Sequence, residues 1–192
     1  MPKKTVISVT TKTGDRGQSS LANGRRLSKS DLHFEVVGNL DELNSWLGLV
    51  VVKLGSAFAE TKTYLETIQD TLFYIGAEVA ASPKARLKQS ALEKLEATTQ
   101  KMQEALADDW HTRFILPGGT ELGAHLDLAR TVCRRAERSL TLLSEQAQAE
   151  GGEALNPILL KYLNRLSDYL YVLRCFVNDQ QGYSEKEFVA QD

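Results

Sequence analysis

Arg130, Arg134, Arg135 and Arg138 stand within the ten-residue segment ARTVCRRAER (129–138), inside what reads as a helix. Helix formation does not ask for them, because like charges at i,i+4, as in Arg130/Arg134 and Arg134/Arg138, repel. Arginine's planar fork suits bidentate recognition of phosphate, whereas solvated helix faces usually alternate signs and draw on Lys and Glu. A second polar segment, TTKTGDRGQSSLANGRRLSK (10–29), shows no helical period. Its Thr11, Lys12, Thr13, Gly14, Ser19 and Ser20 offer hydroxyls, an ammonium group and backbone N–H groups, and Gly14 and Gly17 permit close backbone approach. Together the two segments point to an anionic, polyphosphate-like ligand held between a basic loop and an arginine-rich helix. Each has an ordinary alternative. The arginine face could make ion pairs or an interface, and the loop could be a plain turn. Neither GxxxxGK[ST] nor GxGxxG occurs, so the common phosphate-binding fingerprints are absent.

The elements that must position these residues are helices. Apolar positions recur at steps of three and four along most of the chain, the pattern of one buried stripe per helix. The first stripe is Val36, Leu40, Leu43, Leu47, Val50, Leu54, with Ser30 expected as N-cap and Gly55 as stop. A second runs Thr61, Leu65, Ile68, Leu72, Ile75, Val79. The third, Leu92, Leu95, Thr99, Met102, Leu106, is more polar and is expected outermost. The fourth is Leu122, Leu126, Ala129, Cys133, Ala136, Leu140, Leu143. The fifth is Leu159, Leu163, Leu166, Leu170, Leu173, Val177, opened by Asn156 as cap and Pro157 as first helical residue. Only a short TVISV near the start alternates with period two. The expected fold class is all-α, a five-helix bundle.

On the fourth helix, Asp127, Arg130, Arg134 and Glu137 fall on a polar face beside the core stripe, flanked by Arg135 and Arg138. Arg135 points about a hundred degrees away from Arg134. Asp41 lies beside Asn44, Ser45 and Gly48 on the first helix, and Asn164 and Asp168 sit one turn apart on the fifth. The segment WHTRFILPGG (110–119) sets apolar side chains next to a Pro-Gly-Gly turn, where bundles often carry function.

Bulk properties narrow the classes. A chain of 192 residues with 42% hydrophobic content supports one proper core, and a net charge of −2 gives no global field for nucleic acid or an anionic membrane. No stretch approaches the roughly 20 apolar residues of a membrane span, and MPKKTVISVT has no apolar run of signal-peptide length, so no signal peptide is expected there. Cys133 and Cys175 lack CxxC spacing and read as packed, reduced thiols, so a cytoplasmic location is expected. The chain reads as one domain, 1–192, with an N-terminal loop (1–29), a helical bundle (30–182) and a short polar tail (183–192). His33, His111 and His125 are scattered, and no Ser/His/Asp or Cys/His constellation stands out.

Five blocks occur in order across the chain: TKTGDRGQSS (11–20), GNLDELNSWLG (38–48), FILPGG (114–119), ARTVCRRAER (129–138) and LNRLSD (163–168). In these blocks the sequence resembles the PduO-type ATP:cob(I)alamin adenosyltransferases. The resemblance implies a ferritin-like five-helix bundle that forms a homotrimer, with active sites between neighbouring subunits. ATP would then lie on Thr11, Lys12, Thr13, Gly14, Ser19, Ser20 and Lys29 of one subunit. Arg134, Arg135, Glu137, Arg138 and Asn164 of the next match the family's remaining nucleotide-binding positions. Mg²⁺ would enter on the ATP phosphates with few protein ligands. The implied reaction has cob(I)alamin cobalt attack the ribose 5′ carbon, with triphosphate leaving. Phe114 matches the corrinoid-side phenylalanine, which excludes cobalt's lower axial ligand; a core Phe anchoring the loop is the other reading. Asp41 and Arg130 match a charge pair that bridges two subunits.

The chain departs from that pattern in two places. Leu126-Asp127 stands where leucine-histidine is common, and Thr10 where an aromatic is common. A non-catalytic bundle binding ATP or a corrinoid, and a trimeric scaffold whose arginines make only interfacial ion pairs, are the competing expectations.

Overall fold

The five stripes fold as five helices in a computed structural model, whose described residues are 10, 12–107, 110, 112 and 114–190. Thr11, His111 and the TVISV segment lie outside the described residues. The helices are α1 (Leu32–Lys53), α2 (Ala59–Val79), α3 (Gln89–Gln103), α4 (Glu121–Ala149) and α5 (Pro157–Gln180). Each buries the stripe that its spacing sets: Leu40, Leu43 and Leu47 of α1 meet Ala129, Cys133 and Ala136 of α4 and Leu163, Leu166 and Leu170 of α5 in one apolar cluster. A fully buried leucine in such a cluster contributes about 1.5–3 kcal/mol. Helix α4 packs on α1 and α5, α2 on α1, and α3 on α5. Tyr64 of α2 closes the bundle against Tyr169 of α5, edge to face with centroids 5.6 Å apart. In α3 only Leu92 and Leu95 are buried, and Leu106 lies beyond its end, so α3 is the outermost helix. Among the described residues no helix is long and apolar enough to cross a membrane.

The caps are partly as expected. Asn156 Oδ1 accepts from the Ile158 N–H at 3.1 Å, with Pro157 opening α5. Thr120 caps α4, its hydroxyl accepting from the Gly123 N–H at 3.1 Å. At α1 the cap is Asp31, not Ser30: Asp31 Oδ1 accepts from the His33 N–H at 2.9 Å. Ser30 is unavailable because its hydroxyl pairs with that of Ser28 at 2.8 Å. The carboxylate also complements the positive end of the helix better than a hydroxyl does.

Three further features differ from the sequence expectation. The N-terminal segment is not plain loop but carries an antiparallel hairpin, β1 (Gln18–Ser20) and β2 (Arg26–Ser28), with Ser19 opposite Leu27. Leu21 at its turn is buried, and the Ala22 N–H donates to the Ala80 carbonyl at 2.8 Å, pinning the hairpin to the end of α2. Asp127 leaves the polar face and is only 7% exposed, because its carboxylate reaches inward to Arg174 of α5 at 3.2 Å. The segment after Gly182 is not a free tail. Ile115 pairs with Glu187, the Leu116 N–H donates to the Lys186 carbonyl at 2.8 Å, and the Phe188 N–H donates to the Phe114 carbonyl at 2.7 Å.

Candidate active site

On α4 the arginines divide by partner. Arg135 turns toward α1, where its Nε donates to Asn39 Oδ1 at 2.9 Å and its Nη2 pairs with Glu42. Asn39 in turn donates to the Ser139 hydroxyl at 2.8 Å. Arg135 therefore helps to hold α1 to α4. Arg134 and Arg138 are exposed and have no ion-pair partner among the described residues; Arg138 only donates to the Arg134 carbonyl at 3.1 Å. Two neighbouring cations without carboxylates suit an anionic ligand.

Beside them, Glu137 Oε1 accepts from Asn164 Nδ2 at 3.0 Å, and Asn164 Oδ1 accepts from Arg165 at 2.6 Å. Arg165 is held by Glu96 at 3.3 Å and Asp168 at 3.5 Å, so Asn164 is oriented from both sides. Arg130 lies 3.6 Å from Asp127 Oδ1 and 6.0 Å from the Tyr171 ring centroid. Asp41 is exposed, and no ion pair joins it to Arg130 within the chain.

The N-terminal turn is shaped for close approach. Gly17 has φ +73° and Lys12 +59°, and the Gly17 N–H donates to the Gly14 carbonyl at 3.1 Å. The Lys29 ammonium lies against Gly14, where a Cβ would come within 3.1 Å of Nζ. Arg26, which the sequence reading passed over, donates from Nη2 to the Thr13 carbonyl at 2.9 Å and braces the turn. Ser20 is exposed and Ser19 half-buried on β1. The turn and the Arg134/Arg138 face are not brought together in one chain. The hairpin is tied to Ala80, and no described contact links it to either arginine.

Phe114 is 84% exposed, which rules out the core-anchor reading. Leu116, Phe188 and Val189 are exposed beside it, forming an apolar rim where the 114–120 loop meets residues 183–190. Neither Phe188 nor Val189 was visible as a site residue, because their place comes from strand-like pairing far along the chain. The loop itself is held from α5. Asn178 Oδ1 accepts from the Thr120 hydroxyl at 2.8 Å, and its Nδ2 donates to the Gly118 carbonyl at 3.1 Å. A Cβ on Gly119 or Gly123 would overlap the Asn178 side chain.

The thiols take no part. Burial pushes the Cys133 thiol far above its ordinary range, and its Sγ donates to the Leu163 carbonyl at 3.3 Å. Burial also raises Cys175, against the pull of Arg174.

A family model described as cobalamin adenosyltransferase matches residues 9–177. The chain belongs to the cobalamin adenosyltransferase family. It is 35% identical to the corrinoid adenosyltransferase of Bacillus subtilis (strain 168), over 93% of this chain and 90% of that one. It is 39% identical to the corrinoid adenosyltransferase PduO of Salmonella typhimurium over 87% of this chain, and spans 48% of that longer protein. A solved variant of the PduO-type ATP:corrinoid adenosyltransferase of Lactobacillus reuteri, complexed with cobalamin and ATP, has 30% identity and a TM-score of 0.83. That match covers 94% of this chain and 96% of that one. The helical architecture is therefore that of an adenosyltransferase-family protein.

Proposed function

We propose that two copies of the chain build each active site: the hairpin turn of one subunit and the Arg134/Arg138 face of the next hold ATP. The activity is that of the family, ATP-dependent adenosylation of cobalamin. The cobalt lone pair of cob(I)alamin forms a bond to the ribose 5′ carbon, and the C–O pair leaves with the triphosphate. One observation supports the division of the site above others. Arg134 and Arg138 have no carboxylate partner among the described residues, while the basic turn that would share their ligand is anchored elsewhere in the same chain. A ring of heterologous contacts, as in a trimer, brings the two surfaces together.

Arg134, Arg138 and Lys29 are assigned to the phosphates, where negative charge grows on the leaving oxygen and fixed cations stabilise the transition state. Arg135 and Glu137 act beside them, Arg135 by fixing α4 on α1 and Glu137 by orienting Asn164 toward the nucleotide. Thr13, Gly14, Ser19 and Ser20 supply hydroxyl and backbone donors, with Lys12 adding charge at the rim. Mg²⁺ would come as an ion carried by the phosphates, neutralising their charge and keeping its waters, with the Thr13, Ser19 and Ser20 hydroxyls as the protein oxygens beside it. No general base is required, since no proton moves.

Phe114 and its apolar rim are assigned to the corrinoid face. There the aromatic ring excludes the lower axial ligand and holds cobalt in line with the 5′ carbon; alignment of this kind supplies several kcal/mol. Arg130 pairs loosely with Asp127 at 3.6 Å and keeps a quarter of its side chain exposed, 25%, which leaves it able to take Asp41 of a neighbouring subunit as well. The test is an absorbance assay with ATP, Mg²⁺ and chemically reduced cobalamin. Appearance of the cobalt–carbon product is expected. ATP binding with no product would make the protein a non-catalytic nucleotide binder.

A further inference from the structure

Arg174 is 1% exposed, yet its charge is not left in the core alone. Its Nε donates to Asp127 Oδ2 of α4 at 3.2 Å, and its Nη1 pairs with Glu185 Oε1 at 2.7 Å. Its Nη2 donates to the Leu116 carbonyl at 2.8 Å and to the Gly118 carbonyl at 3.2 Å. One guanidinium thus joins a core helix, the 114–120 loop and the C-terminal segment. The loop needs those donors. Pro117 lies between the two carbonyls and has no N–H to offer, and inward-facing carbonyls must be bonded. Asp127 adds a second grip by accepting from the Gly118 N–H at 2.8 Å, and Asn178 Nδ2 donates to Glu185 Oε1 at 3.0 Å. With Arg130 beside Asp127, the group holds two cations and two carboxylates and closes neutral. Lysine could not replace the fork, because its three donors share one nitrogen and cannot span partners that the guanidinium meets from three separate nitrogens.

We propose that Arg174, clamped by Asp127 and Glu185, is the positioning residue that fixes the height of Phe114 over the corrinoid. It locks the loop two residues beyond Phe114, while the C-terminal segment it also holds takes the Phe114 carbonyl. Asp127 is in this reading the fixed carboxylate that lets a buried arginine serve there. The inference rests on the assignment of Phe114 to the corrinoid face.

A role confined to stability would lower the melting temperature without altering cobalt coordination. The experiment therefore measures the four-coordinate fraction of cob(II)alamin by electron paramagnetic resonance, with ATP and Mg²⁺ bound to the full chain. Wild type, Phe114→Ala, Glu185→Gln, Glu185→Ala and Arg174→Lys are compared, each with its adenosyl-transfer kinetics. Glu185→Ala frees the segment from Arg174, so the four-coordinate fraction should fall several-fold. Its kcat should fall by about tenfold or more, since misplacement of about an ångström costs on the order of a hundredfold. KM for ATP should stay within about twofold, because the nucleotide side is untouched. Glu185→Gln keeps an acceptor for Arg174 and should restore most of both signals. Arg174→Lys should lose them; if it fails to fold, the Glu185 pair decides. A wild-type four-coordinate fraction and kcat in folded Glu185→Ala, with Phe114→Ala still deficient, overturns the positioning role alone. Absence of four-coordinate cobalt in wild type overturns the Phe114 assignment and this inference with it.

Discussion

Arg134 and Arg135 are adjacent in sequence, but of the two only the Arg135 side chain has an ion-pair partner among the described residues. Arg134→Ala should weaken ATP binding by about 1.5–3 kcal/mol, the cost of a charge-assisted hydrogen bond, while leaving the melting temperature unchanged. Arg135→Ala should do the reverse, since its bonds to Asn39 and Glu42 hold α1 on α4. A stability loss of about 0.5–1.5 kcal/mol is expected there. Calorimetric titration with ATP beside thermal melts separates the two, and equal affinity losses would show that both arginines touch phosphate. Phe114→Ala should leave the melting temperature alone, because the ring is 84% exposed, and lose most turnover. Unfolding of that variant would return Phe114 to a structural part. The thiols should resist a disulfide reagent until the chain unfolds, since burial keeps Cys133 protonated; rapid labelling of the native protein would contradict this. Spacing alone exposed the arginine cluster, whereas Phe114 was singled out only by the family resemblance. Spacing could not show that Arg135 pairs inside the chain or that Asp127 turns inward, because each depends on a partner from another helix. Arg174 carried a faint signal, a charge beside Leu173 in the α5 stripe, where a buried cation demands carboxylates.

At the scale of elements, the cap of α1 carries a pH dependence. Burial pushes the Asp31 carboxyl up, but the His33 N–H, the His33 ring and Arg25 outweigh it and hold the group below its ordinary value of 3.8. A carboxyl depressed in the folded state adds stability above its unfolded pKa and loses it as pH falls through the folded one. Asp31→Ala should therefore cost about 1 kcal/mol at neutral pH. The gap from wild type should close as pH drops below the ordinary carboxylate range. Denaturant midpoints at both pH values check this, and a constant gap would mean that the charge of Asp31 is not what caps the helix. The five helices were visible in sequence because each stripe repeats for several turns, and Asn156-Pro157 announced α5. The β1–β2 hairpin was not, since strands of three residues display no period. Pairing of residues 183–190 with the Phe114 loop was equally hidden, being backbone hydrogen bonding without a side-chain pattern.

For the whole molecule, composition and five stripes settle a single apolar core, and that much follows from sequence physics. How copies assemble does not, because an interface is read from surfaces that no helical period marks. No described contact joins the basic turn to the Arg134/Arg138 face, which is why the proposed site draws them from two subunits. Co-expression of Lys29→Ala with Arg134→Ala tests this most directly. Each variant alone should be nearly inactive in the cob(I)alamin assay, one lacking the turn's ammonium and the other the helix cation. In mixed rings, a site forms intact wherever the turn comes from an Arg134→Ala subunit and the helix from a Lys29→Ala subunit. Random mixing makes that about a quarter of all sites, so activity should return to about a quarter of wild type. If the mixed assemblies stay as inactive as the separate variants, the turn and the arginines serve within one chain and the shared site is wrong.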